Sequence, residues 1–320
     1  MTSIRRAKIL SVGTAVPPQV LTNKDLEKII DTSDEWITTR TGIRERHVVG
    51  KDASIHVYDL GAQAAQQALA RAGVAPEAVD AVICATFSPD NFFPATACTI
   101  QHKLGCTNAF AFDVSAACAG FVYALTVANS FIQSGQCTTV VVVGAEIASR
   151  TLDWTDRSTC ILFGDGAGAV VLTASDDGNQ GILAAYLHSD GSQGDILCLP
   201  AWGEKRYMTM NGGEVYKHAV RLMSEAVQKA LTTAGLDAGS VDLLIPHQAN
   251  LRIIEAISRH MHLPMEKIVV NVDRYSNTGS ASIPIALDEA WQNGRITENT
   301  ITVFTALGGG LATGSVVVRW

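Results

Sequence analysis

Residues 64–83 read AAQQALARAGVAPEAVDAVI, and 162 positions further along residues 226–245 read AVQKALTTAGLDAGSVDLLI. At that constant offset Ala64/Ala226, Gln66/Gln228, Ala68/Ala230, Leu69/Leu231, Ala72/Ala234, Gly73/Gly235, Val79/Val241, Asp80/Asp242 and Ile83/Ile245 are identical. Each copy has the same physical reading. An Ala/Leu-rich helix stops at a glycine, which takes a left-handed backbone without a Cβ penalty. A short loop follows, and Val-Asp opens an apolar strand. Helix–glycine–loop–strand units recur throughout α/β proteins, so the echo needs a second one beside it. Gly164-Asp-Gly-Ala-Gly-Ala-Val-Val-Leu and Gly308-Gly-Gly-Leu-Ala-Thr-Gly-Ser-Val-Val-Val supply it, each a glycine-rich turn feeding a β-branched strand. Two α/β halves follow, residues 1–174 and 175–320. No Pro/Ser-rich linker divides them, so they are expected to pack as one unit.

The runs 80–86, 138–145, 167–173, 241–246, 267–272, 301–306 and 314–319 are continuous in Val, Ile and Leu with little alternation, as in strands covered on both faces. Helices are expected over 55–72, 119–134, 214–234, 250–261 and 283–293. The stretch Val114–Ala128 is the most apolar, but it falls short of the ~20 residues that span a bilayer. Asp113 and Asn129 flank it, so a buried core helix explains it.

Composition narrows the function. Hydrophobic residues make up 47% of the chain and charged ones 17%, which implies surface buried in a partner subunit as well as in the core. A net charge of −7 argues against general nucleic-acid binding, which needs a basic face, though not against a local basic patch. The seven cysteines form no CxxC and no metal-ligand spacing with histidine, so neither a disulfide framework nor a metal site is indicated, and a reducing cytoplasm fits best. The start, Met1-Thr-Ser-Ile-Arg-Arg-Ala-Lys-Ile-Leu, runs at once into Gly13, Pro17 and Pro18, a poor secretory segment.

Chemistry is expected at Cys118. The run Asn108-Ala-Phe-Ala-Phe-Asp-Val-Ser-Ala-Ala-Cys-Ala-Gly-Phe-Val-Tyr-Ala-Leu is strand-like and turns helix-like at the thiol. A helix N-terminus favours a thiolate, and the small Ala116, Ala117, Ala119 and Gly120 leave room for a substrate. Pro246-His247-Gln-Ala-Asn250 and Asn277-Thr-Gly-Ser280 each follow a β-rich run and carry a polar group where the chain turns. Cys, His and Asn from distant stretches make an acyl-transfer site if the fold brings them together. Packed cysteine, strand-end histidine and turn asparagine are the plain structural alternatives. Gly164, Gly166 and Gly168 lack the Lys-Ser/Thr of a phosphate loop and lead into a strand, so they are read as close-packing glycines.

These motifs, with Leu251-Arg252 after His247-Gln-Ala-Asn and with Asp31-Thr-Ser-Asp-Glu-Trp-Ile-Thr-Thr-Arg-Thr-Gly-Ile-Arg-Glu-Arg near the start, resemble the β-ketoacyl-acyl-carrier-protein synthase III enzymes of the thiolase superfamily. Their order and spacing hold from about residue 8 to 320. The resemblance implies a five-layered α/β/α/β/α fold from two pseudo-symmetric halves, a homodimer, and no cofactor, CoA thioesters being substrates. It implies that Cys118 takes an acyl group from acyl-CoA and passes it to malonyl-acyl-carrier protein with loss of CO2. His247 and Asn277 would stabilise the enolate, and the backbone N–H groups of Cys118 and Gly309 would hold the other oxyanion.

By the same resemblance Trp36 stacks on the CoA adenine with Arg40 and Arg157 near its phosphates. Lys217, Arg252 and Arg259 would dock the acidic carrier, and Phe93 and Leu307 would shape the acyl pocket, Phe93 across the dimer interface. Two positions depart from the pattern. Gly213 stands where many relatives carry asparagine, and Leu307 where many carry phenylalanine. His188, His218, His260 and His262 are read as surface or packing residues, as are Cys84, Cys98, Cys106, Cys137, Cys160 and Cys198. Three alternatives stay open: a related condensation of secondary metabolism with another donor or acceptor, a degradative thiolase, and a non-catalytic acyl-binding or structural module. The thiolase is disfavoured because Gly308-Gly309-Gly310 stands where thiolases place a second cysteine.

Overall fold

The computed structural model describes residues 5–50, 54–175, 177–204 and 206–320. Met1–Ile4, the first residues of the stretch weighed as a secretory segment, lie outside them. One sheet holds β1 (Arg6–Ala15), β2 (Ala81–Ala85), β3 (Phe110–Val114), β4 (Thr139–Ile147) and β5 (Asp165–Ser175), in the order β1-β5-β4-β2-β3. The other holds β6 (Gly181–Ser189), β7 (Leu243–Pro246), β8 (Ile301–Gly308) and β9 (Ala312–Arg319), in the order β6-β9-β8-β7. The pairing senses match strand for strand. β2 is parallel to β4 as β7 is to β8, while β5 is antiparallel to β4 and β1 as β9 is to β8 and β6.

The repeated sequence does the same local work twice. Gly73 and Gly235 both take left-handed backbones, at φ 64° and 70°. Behind them Val74 N–H donates to Leu69 O and Leu236 N–H to Leu231 O, at 3.1 and 2.9 Å, closing each helix with the same bond. Asp80 accepts from the N–H of Thr139 and Asp242 from that of Ile301, so each aspartate caps the first residue of the neighbouring strand.

The longer helices among the described residues are α1 (Asp34–Thr41), α2 (Val57–Ala72), α3 (Thr96–Leu104), α4 (Gly120–Gln133), α5 (Gly212–Thr233), α6 (Leu251–Met261) and α7 (Ser282–Gln292). Strand periodicity sorts them into layers. Val140 and Val142 point inward to Phe121 and Leu125 of α4 and Ile283 and Leu287 of α7, where they meet Phe304 and Val316 from the second sheet. Val141 and Val143 point the other way, onto α2 and α3. Val303 and Val317 cover α5 and α6. The result is α2/α3, sheet, α4/α7, sheet, α5/α6: the expected five layers. Val114–Ala128 becomes largely the start of the central helix, and burying each side chain of the size of Phe121 contributes about 1.5–3 kcal/mol.

One expected strand is corrected. The run 267–272 makes a single parallel bridge, Ile268 to Leu244, at the place β3 holds in the first sheet. Asn271 is then drawn away, its N–H donating to the side chain of Gln248 at 3.0 Å and its amide to Glu289 at 3.3 Å. The chain turns into the short helix Val272–Tyr275. β1 and β6 were absent from the strand expectations, and each is the outer antiparallel strand of its sheet.

Candidate active site

The carboxyl ends of β2, β3, β4, β7 and β8 converge, as the ligand-binding ends of open parallel sheets do. After β3 the chain passes through Ala116 and then Ala117 at φ 46°, a left-handed residue without glycine's freedom, before the turn Ala117–Ala119 leads into α4. Such a residue stores about 1–3 kcal/mol and persists only where packing enforces it. The packing is visible. A Cβ on Gly308 would lie 2.7 Å from Ala116 O and Cys118 N, and one on Gly120 would lie 3.0 Å from Ala85 Cβ. Ala116 and Gly120 therefore serve close packing, while Ala117 lines the cavity beside Cys118 and leaves it open there, as expected.

The thiol itself corrects an expectation. Burial pushes Cys118 up to about 12, and the nearby Glu146 carboxylate adds to the rise. A helix N-terminus offers about 0.3–1 kcal/mol, under one pKa unit, whereas full burial moves a group by up to about 3–5 units. Desolvation wins, and Cys118 rests as a thiol.

His247 follows directly on β7, its N–H donating to Thr305 O at 2.8 Å. Its Nδ1 lies 2.7 Å from Ser282 Oγ, which accepts from the N–H of Gln248 at 3.3 Å. The Ser282 hydroxyl proton is thus free for Nδ1, and this pairing assigns the ring proton to Nε2. Burial lowers the imidazole to about 4, so it is neutral and presents an N–H donor. Asn277 is oriented in a similar way. Its Oδ1 accepts from Gly279 N–H at 2.9 Å, which leaves the amide NH2 to face outward from the turn.

The two halves share this asparagine. Asn277 N–H donates to Leu162 O at 2.9 Å and Gly164 N–H to Asn277 O at 3.0 Å. A Cβ on Gly164 would meet Ser276 Oγ at 2.4 Å, and one on Gly168 would meet Pro284 Cβ at 2.7 Å. The glycine-rich motif of the first half is a seat for the asparagine turn of the second, as the close-packing reading required.

Cys118, His247, Asn277, Leu307 and Gly309 all line one cavity of about 740 Å³. Trp36, Arg40, Arg157 and Arg252 line it too. Two guanidinium groups lie over the Trp36 ring, Arg40 at 4.5 Å and Arg157 at 4.6 Å from its centroid, so both cations gather at this indole. Arg252 and Arg259 are exposed on α6, seven residues apart and hence on one face about 10 Å in length. Arg252 also donates to Thr39 O at 3.1 Å. Lys217 is exposed and paired with Glu214 at 2.7 Å.

Phe93 is not brought into this cavity. It is 87% exposed, beside Phe92, which stacks on the exposed Trp202. Gly213 lines the cavity at the start of α5, where Asn211 caps the helix. Of the cysteines read as packing, Cys198 lines the cavity as well. Sequence reading missed Phe87, Met208, Met210 and Met223, apolar wall residues that only tertiary packing gathers. It also missed Ser282 and the buried Glu146, though a lone acid closing the run Val140–Ala145 was a visible signal. Among the described residues no group of three or more His, Cys, Asp or Glu could hold a metal ion.

Comparison with known proteins agrees with this geometry. The family described as 3-oxoacyl-[acyl-carrier-protein (ACP)] synthase III matches residues 112–191, and the family of its C-terminal region matches residues 231–320. The chain is 49% identical over 323 aligned positions to a β-ketoacyl-[acyl-carrier-protein] synthase III of Xanthomonas campestris, with 98% of both chains covered. It superposes on the crystal structure of 3-oxoacyl-[acyl-carrier-protein] synthase III from Aquifex aeolicus with a TM-score of 0.94 at 48% identity, covering 98% of this chain and 100% of the other. The priming β-ketosynthase of the R1128 polyketide pathway superposes with a TM-score of 0.93 at 34% identity, covering 100% of this chain and 97% of the other.

Proposed function

This chain belongs to the 3-oxoacyl-[acyl-carrier-protein] synthase III family, and from that premise we propose how its own residues carry out the condensation that initiates fatty acid synthesis. The observation that carries the reading is the convergence of Cys118 with two neutral, pre-oriented donors, His247 Nε2–H and Asn277 NH2, on one largely apolar cavity. In the first half-reaction the Cys118 sulfur attacks the thioester carbonyl of acyl-CoA. The C–S bond to CoA breaks, and the thiol proton ends on the CoA sulfur. Because His247 carries its proton on Nε2, it is a donor at that atom and not the acceptor of the thiol proton. The backbone N–H groups of Cys118 and Gly309 hold the oxyanion, since the glycine triplet lies directly against the nucleophile turn.

In the second half-reaction malonyl-acyl-carrier protein loses CO2. The electron pair of the broken C–C bond forms an enolate whose oxygen accepts from His247 and Asn277. The enolate carbon attacks the acyl-Cys118 carbonyl, the cysteine leaves as thiolate and takes up a proton, and 3-oxoacyl-carrier protein departs. Neutral donors suit this step, because they stabilise developing charge without first binding the malonyl carboxylate as a counter-ion.

Trp36, Arg40 and Arg157 form the nucleotide end of the CoA site, and Arg252 and Arg259, with Lys217, form the carrier-docking face. Leu307 shapes the inner acyl pocket. The chain works as a homodimer in the cytoplasm, with Phe93 reaching into the partner's pocket. Its outward setting and the exposed aromatic edge of β3, where Phe110 stacks near Phe112 and Phe131, support that assembly. No helix among the described residues is long and apolar enough to cross a membrane. The boundary between the halves falls at 174/175, a reading that the matching strand orders support. Intact-protein mass after incubation with acetyl-CoA tests the function. An acyl adduct on the protein that is absent from Cys118→Ala is expected, and an adduct retained by that variant would remove Cys118 from the mechanism.

A further inference from the structure

Glu146 lies near the carboxyl end of β4, with no exposed surface, in a place the catalytic steps above do not use. Five groups converge on its carboxyl, and their protons can be counted. Ser88 Oγ accepts from Ile147 N–H at 3.0 Å and gives its own proton to Oε2 at 2.6 Å. Thr86 Oγ1 accepts from Ser88 N–H at 3.2 Å and donates to Oε2 at 3.2 Å. The N–H groups of Phe87 and Ser88 also lie 3.2 Å from Oε2, which is wholly an acceptor; the Phe87 N–H is shared and lies 3.2 Å from Oε1 as well.

Oε1 is different. It lies 2.6 Å from Ser280 Oγ, and Ser280 Oγ is also 2.8 Å from the carbonyl oxygen of Ala85. One hydroxyl proton serves both acceptors only by dividing between them, which weakens each bond. A proton on Oε1 resolves the count: Oε1–H donates to Ser280 Oγ, and Ser280 O–H donates to Ala85 O. Among the described residues no cation forms an ion pair with Glu146. The titratable groups facing it are the thiols of Cys84 on β2 and Cys118, both pushed up in part by its charge. Burial raises the carboxyl to about 7, against the pull of its hydrogen bonds.

The carboxyl joins three pieces of the site. It holds the Phe87 wall of the cavity, the end of β4, and the turn that follows Asn277. The fit is tight, since a Cβ on Gly279 would meet the Phe87 ring at 2.4 Å and Glu146 Cγ at 3.0 Å. We propose that Glu146 is a positioning residue that works as a neutral carboxylic acid: protonated, it ties the Phe87 wall to the Asn277 turn, and ionised, it sets an unpaired negative charge beside Cys118 and slows acylation. The proposal rests on Cys118 being the acylated residue.

The test compares wild type with Glu146→Gln, whose amide reproduces a donor toward Ser280 and an acceptor toward Ser88. Single-turnover acylation by acetyl-CoA is followed by intact mass from pH 6 to 9. Below the carboxyl's pKa both proteins have a neutral group, and their rates should agree within about twofold. Above it the wild type ionises and falls behind, by roughly threefold to tenfold, the effect of half to one unit on the thiol. Rates that stay in constant ratio across the range overturn the proposal, as does a folded Glu146→Gln protein that is slow at every pH. Isotope-edited infrared titration of glutamate carboxyls in Cys118→Ala supplies a readout that needs neither acylation nor the Glu146 variant. A buried carboxyl protonated at pH 6 and titrating near 7 supports the reading, and one ionised throughout defeats it. Absence of any acylation in wild type, with this titration intact, would implicate the Cys118 assignment instead.

Discussion

Gly308→Ala isolates the contact between the glycine triplet and the Cys118 turn. The added methyl would sit 2.7 Å from Ala116 O and from Cys118 N, and 3.0 Å from Ala117 Cβ. Non-bonded atoms rest about 3.5–4.0 Å apart, so the two segments must separate by roughly 0.8–1.3 Å. Overpacking of this kind destabilises by about 1–3 kcal/mol, within the ~5–15 kcal/mol of a typical fold, so the variant should stay folded with its melting point lowered by several degrees. Function should suffer more. Ala117 is held at φ 46° only by its surroundings, and a displacement near 1 Å of a reacting group costs on the order of 10²-fold in rate. Single-turnover acylation by acetyl-CoA should therefore fall about 10- to 100-fold. Gly191→Ala, where a Cβ meets nothing within 4 Å, serves as the control and should match wild type. Wild-type acylation together with a wild-type melting point would refute the close approach. A lowered melting point with full acylation would show that the turn absorbs the methyl without moving the sulfur.

Two further outcomes test the division of labour. His247→Ala and Asn277→Ala should each keep Cys118 acylation while malonyl decarboxylation falls by roughly 10²–10³, the usual effect of losing one oxyanion donor; acylation followed by a malonyl-carrier chase separates the steps, and loss of acylation alone would invert the roles. Arg252→Glu should raise the KM for malonyl-carrier protein several-fold and leave malonyl-CoA nearly unaffected, with the difference shrinking as salt shortens the ~8–10 Å reach of surface charge; equal losses with both donors would show that Arg252 acts by shaping the cavity it lines and not by docking the carrier.

Much of this protein was legible in its residues because the deciding signals are local. A glycine at 73 and again at 235 predicts a left-handed helix stop from the absence of a Cβ, and unbroken runs such as Val140–Val143 predict strands covered on both faces. The internal offset revealed two halves, and the motifs around Cys118, His247 and Asn277 marked strand-end turns that can carry polar groups. Local patterning failed where another part of the chain competed for the backbone. Ile268–Val270 has the composition of a strand, yet Gln248 and Glu289 capture Asn271 and end the pairing after one bridge.

Protonation lay beyond the sequence altogether. A cysteine before a helix reads as an activated thiolate, but the sign of its shift depends on how much water remains around it, and burial outweighs the dipole. The same holds for the imidazole proton, assigned by Ser282 from 35 residues away, and for the carboxyl proton of Glu146, assigned by Ser280 from 134 residues away. Sequence determined which chemical groups stand at which turns, because turns and periodicities are written in neighbouring residues. Tertiary structure alone decided which of those groups are dry, which hydrogen-bond partner each one meets, and therefore which of them carries a proton.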